Sequence, residues 1–265
     1  MKIVSVVITT RSRNLPYYAV GYPSVLDNRG DFSLHTVVTD FSGHREMALE
    51  ALVPADHVYT HRPGAGFCSN VNTGMFIALG IGADYFGHVN DDARLPPDFF
   101  QNAIKTLEMA PDVGFVGGVQ QITDEVCISP ERFASWPIQE GVRGARDEID
   151  DLLGRWGDFS AWLVKREVLL AVGELDEAFD PVGIMADNDW IWRIRRAGYR
   201  AFRDYGMPYV HAKGVTQRPL RPEWPNDSVG NANAVYFRKK WGTEPREALK
   251  EARFADPFGG VQCAL

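Results

Sequence analysis

Cysteine is scarce in this chain: Cys68, Cys127 and Cys263 are the whole supply among 265 residues. An odd number of thiols, widely spaced and without a Cys-x-x-Cys pair, excludes a disulfide framework and a thiolate zinc site, and it suits a reducing cytoplasm. Long apolar runs are lacking too. The longest weakly polar stretch, residues 74–83, is too short to cross a bilayer. Met1-Lys2 leads directly into a short apolar strand, without the longer apolar segment and small-residue cleavage site of a secretion signal. A cytoplasmic protein is therefore expected, with any membrane association peripheral to the inner face. Positive charge is not in excess. A formal net charge of -7 gives no long-range attraction to nucleic acid or anionic lipid, although it leaves a nucleic-acid partner open. Internal repeats, low-complexity segments and linkers rich in Pro, Gly or Ser are missing. So are the GxGxxG and Walker phosphate loops.

What remains is ordinary globular material, 45% hydrophobic and 24% charged, long enough to bury a sizeable core in one large α/β domain or two small ones. Residues 3–8 are nearly continuous β-formers, as a strand covered on both faces requires. Further strands are predicted at 34–39, 57–59, 85–89 and 113–119, separated by helices at 15–26, 45–52, 68–79 and 97–109. This alternation is that of a doubly wound sheet. Beyond residue 120 the rhythm fails. A polar insert at 139–157 is followed by a strand at 159–164, helices at 166–172 and 187–197, short strands at 199–203 and 208–210, and closing helices at 229–241 and 245–254.

Polar residues collect where strands end. Thr9-Thr10-Arg11 closes the first strand and Asp40 the second, and Asn90-Asp91-Asp92 breaks abruptly from the apolar run before it. The carboxyl edge of an open α/β sheet is where ligands bind. Adjacent carboxylates repel unless a cation such as Mg2+ or Mn2+ lies between them and a diphosphate; a turn in which Asn and Asp satisfy local backbone is the alternative. Asp40 reads either as a helix cap or as an acceptor for a nucleotide's base or ribose. Asp187 and Asp189 fall in the first turn of a predicted helix, where capping and the helix dipole account for acidic residues, although the same place aims a carboxylate into whatever cleft the helix opens on. His211 follows a strand and offers an imidazole to a metal shell. Arg218 and Arg221 sit on a Pro-rich loop able to cover a site.

From Ser5 to His211, and on toward Trp241, the chain resembles the inverting family 2 glycosyltransferases of GT-A fold. Residues 4–11 resemble their first strand, and Asp40-Phe41-Ser42 their nucleotide-contacting Asp. Gly66-Phe67 through Asn72-Thr73-Gly74 is similar to their Gly-Phe-x-x-x-x-Asn-x-Gly segment, and Asn90-Asp91-Asp92 stands where they carry the Asp-x-Asp metal motif. The run 173–179, followed by Asp187-Asn188-Asp189 and Arg193, matches their acceptor-side block. Two positions depart from the pattern: Asn90 replaces the first Asp of the metal motif, and Ala186 replaces the Glu beside the presumed base.

The resemblance implies a single Rossmann-like GT-A domain with a mostly parallel central sheet flanked by helices. Its donor-binding half would be residues 1–119, its acceptor-binding half 120–245, and 246–265 a tail. It implies a metal-dependent inverting transfer from a nucleotide-diphosphate sugar, UDP or TDP, with Asp187 as base and Asp92 and His211 holding Mn2+ or Mg2+. Thr9, Arg11, Asp40, Asn72, Asp91, Arg218 and Arg221 would bind the donor, and Trp162, Asp189 and Trp190 the acceptor. That acceptor would be a glycan, a lipid-linked glycan, a protein side chain or a modified nucleic-acid base. A sugar-phosphate nucleotidyltransferase and a non-catalytic nucleotide-sugar binding module are the competing readings. The first expects a Gly-rich loop after the opening strand, where Thr10-Arg11-Ser12-Arg13-Asn14-Leu15 has no glycine.

Overall fold

A computed structural model describes residues 1–10, 15–28, 30–40, 55–60, 65–121, 128–149, 159–181, 183–212 and 228–242. The described residues contain nine strands: β1 (Lys2–Thr10), β2 (Phe32–Asp40), β3 (His57–Thr60), β4 (Tyr85–Asn90), β5 (Ala93–Arg94), β6 (Val113–Gln121), β7 (Arg146–Glu148), β8 (Ala161–Lys165) and β9 (Arg200–His211). The helices are α1 (Leu15–Leu26), α2 (Phe67–Gly80), α3 (Phe99–Leu107), α4 (Pro130–Ser135), α5 (Arg166–Val172), α6 (Ala186–Arg196) and α7 (Ser228–Trp241). The strands form one sheet in the order β3-β2-β1-β4-β8-β6-β9-β5, with β7 on β9. β3, β2, β1 and β4 run parallel, as do β6 and β9, while β8 enters antiparallel between β4 and β6. The sheet is mixed and mostly parallel, and helices cover both faces.

Alternation along β1 makes the two cores. Val4, Val6 and Ile8 pack with Tyr18, Tyr22 and Val25 of α1 and with Phe99, Phe100 and Ile104 of α3. Val7 faces the other way, onto Val71 and Met75 of α2, in a cluster that also takes Trp162 from β8 and Trp190 from α6. β1 has no solvent face, which is why its sequence reads as one unbroken run. α3 earns its place through Phe99, Phe100, Ala103, Ile104 and Leu107, all buried and at helical spacing.

The expected pair of short strands at 199–203 and 208–210 is a single strand, β9. Its partner register jumps from Gly117 opposite Arg203 to Val119 opposite Pro208, so β9 bulges between them. A Cβ on Gly118 would stand 2.7 Å from the Met207 carbonyl oxygen, and only glycine admits the bulged strand at that point. The insert expected at 139–157 contains β7, whose Arg146, Asp147 and Glu148 pair with β9. The helices predicted at 45–52 and 245–254 lie outside the described residues. No helix among the described residues is long and apolar enough to cross a membrane.

Candidate functional site

The parallel strands deliver their last residues to one edge. Thr10 lies opposite Asp40 and Thr9 opposite Asn90. The chain then turns at Asp91-Asp92 into β5, whose Ala93 lies opposite His211 at the end of β9. Thr9, Asp40, Asp91, Asp92 and His211 are thus brought together by strand register.

The turn is held from three directions. Thr10 Oγ1 donates to Asp91 Oδ2 at 2.8 Å. The Asp92 carbonyl accepts from Ala212 N at 2.9 Å. Asp92 Oδ1 lies 2.9 Å from His211 Nε2, and Asn90 Nδ2 approaches the same ring nitrogen at 3.4 Å. On the far side of the ring, Ser160 Oγ is 3.3 Å from His211 Nδ1. A carboxylate only accepts, so Nε2 carries the proton and donates to Asp92; a cation at Nε2 would require that proton to move to Nδ1, where Ser160 Oγ can accept it.

Beneath this layer is His88, wholly buried. Its Nδ1 is 3.0 Å from the Phe159 carbonyl and its Nε2 is 3.0 Å from Thr9 Oγ1. A carbonyl only accepts, so Nδ1 carries the proton and Nε2 receives the Thr9 hydroxyl. Burial pushes the imidazole pKa down to about 3, and His88 is a neutral brace under the strand ends.

The segment that leads into α6 packs against this layer through Phe67. Phe67, at the start of α2, stands edge-on to His88 with centroids 5.2 Å apart. A Cβ on Gly183 would be 2.4 Å from the Phe67 ring, so the segment leading into α6 lies directly against it. Asp187 follows, half-buried in the first turn, with Oδ1 accepting from Asn188 N at 3.0 Å. The helix cap is Met185, which makes no side-chain cap bond.

Three residues expected at the acceptor and others expected at the donor are buried in this structure. Trp162, Trp190 and Asp189 are fully buried. The two indoles pack on each other with centroids 5.2 Å apart and both pack on Phe159. Asp189 accepts from Arg193 Nε at 2.9 Å and Trp241 Nε1 at 2.8 Å, with Lys240 Nζ at 2.7 Å. Asp40, expected at the nucleoside, is equally buried, and Thr9 nearly so. Asn72, expected at the donor, is also buried: its amide donates to the Leu175 carbonyl at 3.0 Å and accepts from Leu175 N at 2.8 Å. It staples α2 to the 175–177 segment.

The Gly66-to-Gly74 motif is likewise a packing device. Asp180 accepts from Cys68 N at 2.7 Å, Ser69 N at 3.2 Å and Ser69 Oγ at 3.0 Å, placing a carboxylate at the amino end of α2. A Cβ on Gly66 would stand 2.3 Å from Asp180 Cγ, and one on Gly74 2.4 Å from Val7 Cβ. Burial, with Asp180 beside it, pushes the Cys68 thiol pKa up and keeps it protonated. Arg11, Arg218 and Arg221 lie outside the described residues. His88, Ser160, Asp180 and Asn233 carry no signal in the sequence, because their partners lie 49 to 112 positions away in the chain.

The donor set fits a divalent cation shared with a substrate. Asp92 and His211 are both ligand types for such an ion, and their direct 2.9 Å hydrogen bond would open to admit it. Among the described residues no group of three or more His, Cys, Asp and Glu side chains is placed to hold an ion. Asp92 and His211 are the two side chains that would contribute to such a shell, with the remaining positions left to substrate oxygens and water.

No protein-family model matches the chain. A glucosyl-dolichyl phosphate glucuronosyltransferase of Haloferax volcanii is 29% identical over 117 residues, 41% of this chain and 36% of that protein. The match thus spans about a third of that relative's length. Among solved structures, the Pyrobaculum calidifontis mannosyltransferase PcManGT, in complex with GDP-Man and Mn2+, superposes with a TM-score of 0.55 at 17% identity, over 93% of this chain and 78% of that one. S. aureus TarS 1-349 in complex with UDP-GlcNAc gives 0.58 at 9% identity, over 96% and 77%. The α/β architecture is that of GT-A glycosyltransferase structures.

Proposed function

We propose that the chain is a metal-dependent, inverting glycosyltransferase acting on a nucleotide-diphosphate sugar. The observation that carries this reading is the Asp92–His211 pair at the carboxyl edge of the parallel strands, beside Thr9 and Asp40. Support comes from the relatives, one a glucuronosyltransferase and others bound to GDP-Man with Mn2+ or to UDP-GlcNAc.

Asp40 and Thr9 would contact the nucleoside, and Asp92 and His211 would hold Mn2+ or Mg2+, which when bound offsets charge on the diphosphate. Asp187 would take the proton of the acceptor hydroxyl as that oxygen bonds to the anomeric carbon. The bond from that carbon to the diphosphate breaks, and the nucleoside diphosphate leaves with the electron pair. Inversion follows from attack opposite the leaving group, so Asp187 and Asp92 must flank one sugar ring. The loss of Glu at position 186 is compatible with this arrangement, since Ala186 is fully buried in the core cluster of α6. Acceptor recognition falls to groups around Asp187 other than Trp162, Trp190 and Asp189.

The test is a panel of UDP-, TDP- and GDP-sugars, read by thermal shift with and without Mn2+ and by product stereochemistry. A Mn2+-dependent shift with one nucleotide class, and a product of inverted anomeric configuration, is expected. Stabilisation by a sugar phosphate and a nucleoside triphosphate instead would point to the nucleotidyltransferase.

A further inference from the structure

We propose that Asn233 of α7 is a positioning residue that sets the aim of Asp187, an inference that rests on Asp187 being the proton acceptor. Asn233 is 4% exposed. Its amide nitrogen donates to the carbonyls of Phe179 and Ile184, each at 2.9 Å. Those carbonyls bracket the turn that leads into α6. One nitrogen with two N–H protons spans them, which no carboxylate, hydroxyl or alkyl side chain of similar size can do.

The turn needs holding. Immediately after Ile184, Met185 has φ 72°, the single left-handed conformation among described non-glycine residues. A side chain disfavours that region, and a residue stays there only where its surroundings over-determine it. Met185 is the N-cap of α6 and makes no side-chain cap bond, so the helix start is not fixed by its own cap. Asp187 lies two residues on.

α7 is itself anchored well enough to act as the fixed body. Lys240 Nζ is 2.7 Å from both Asp176 Oδ2 and Asp189 Oδ1. Tyr236 OH donates to Asp176 at 2.8 Å and Trp241 Nε1 to Asp189 at 2.8 Å. Burial alone would lower the Lys240 pKa, but the two carboxylates outweigh it and hold the ammonium charged. Asp189, expected to contact an acceptor, belongs to this anchor. α7 thereby grips the turn at one end and the body of α6 at the other.

The experiment compares wild type, Asn233→Ala and Asn233→Ser, each alone and in the Asp187→Asn background. The Ser variant keeps one donor should the Ala variant not fold. Turnover is measured alongside calorimetric binding of UDP, TDP and GDP with Mn2+, and thermal unfolding. In the otherwise wild-type chain, Asn233→Ala should lower kcat by roughly 10- to 100-fold, as a displaced catalytic group does. Nucleotide affinity should stay within about twofold, and the residual rate of Asp187→Asn should fall no further when Asn233 is also changed. Unchanged kcat, an equal loss in the Asp187→Asn background, or failure of both variants to fold or bind nucleotide overturns the inference. Wild-type turnover by Asp187→Asn alone removes the base assignment instead, and so tells the two failures apart.

Discussion

Asp92 and His211, 119 positions apart, stand side by side because the two-residue strand after the Asn90-Asp91-Asp92 turn pairs antiparallel with the end of β9, Ala93 opposite His211 and Arg94 opposite Val210. The bridge fixes the backbone on both sides of the pair, so the two donors meet without a flexible loop between them.

If this pair is a cation half-shell, removing either donor weakens metal binding more than folding. Asp92→Asn and His211→Ala should each lower Mn2+ affinity, measured by electron paramagnetic resonance titration with a nucleoside diphosphate present, by tenfold or more. The unfolding midpoint should move little, and a chelator should stop transfer by the unaltered protein. Full turnover in excess chelator contradicts the metal assignment.

Ser160 touches the other nitrogen of the same imidazole, and outer-shell partners of this kind contribute about 10- to 100-fold to metal affinity. Ser160→Ala should therefore weaken Mn2+ binding within that range. Ser160→Thr, which keeps the hydroxyl, should recover most of it. Equal affinity in Ser160→Ala and the unaltered protein would mean that the contact at 3.3 Å does not set the tautomer.

Asn72 and Gly74 are assigned to packing, so their substitution should read out as lost stability. Asn72→Ala leaves the Leu175 N–H and carbonyl buried without their partner, which costs on the order of 2–4 kcal/mol. Gly74→Ala forces α2 away from Val7. Denaturant unfolding should show both losses, while the folded fraction keeps its nucleotide affinity. A selective loss of nucleotide binding with stability intact would return Asn72 to the donor site.

Local pattern made most of the fold legible. The nearly continuous β-former run gave β1, aromatic and β-branched residues gave β4, and the helical spacing of Trp190, Ile191 and Ile194 gave α6, because each of these reports its own burial. The β9 bulge was not legible: it depends on what Gly118 and Met207 do to each other across strands. For the site, the strand-end polar residues and the meeting of Asp92 with His211 could be read from position and motif. The burial of Trp162, Trp190 and Asp189 could not, since a Trp in a strand or beside an Asp looks the same in sequence whether it lines a cleft or fills a core. The aromatic cluster with Phe159 and the Lys240–Trp241 anchor decided it.

His88 gives the fold a pH signature. Its imidazole has a pKa of about 3 in the folded chain against an ordinary value of 6.5, so below pH 6.5 the unfolded state binds a proton that the folded state refuses. The stabilisation is present above 6.5 and is lost as pH falls toward 3, at up to about 1.4 kcal/mol per pH unit. Urea midpoints measured from pH 7 to 4 should fall more steeply for the unaltered protein than for His88→Gln. Parallel curves would contradict the buried neutral assignment.

The central claim is that Asp187 takes the acceptor's proton across one sugar ring from the Asp92 site, and it is tested most directly by Asp187→Asn. The substitution keeps the side chain's size and removes its basicity. Transfer should fall by roughly 100-fold or more, in the range that positioned proton transfer contributes, while calorimetry of nucleoside diphosphate with Mn2+ stays as in the unaltered protein. Retained turnover, or turnover lost only in step with nucleotide affinity, would contradict the account.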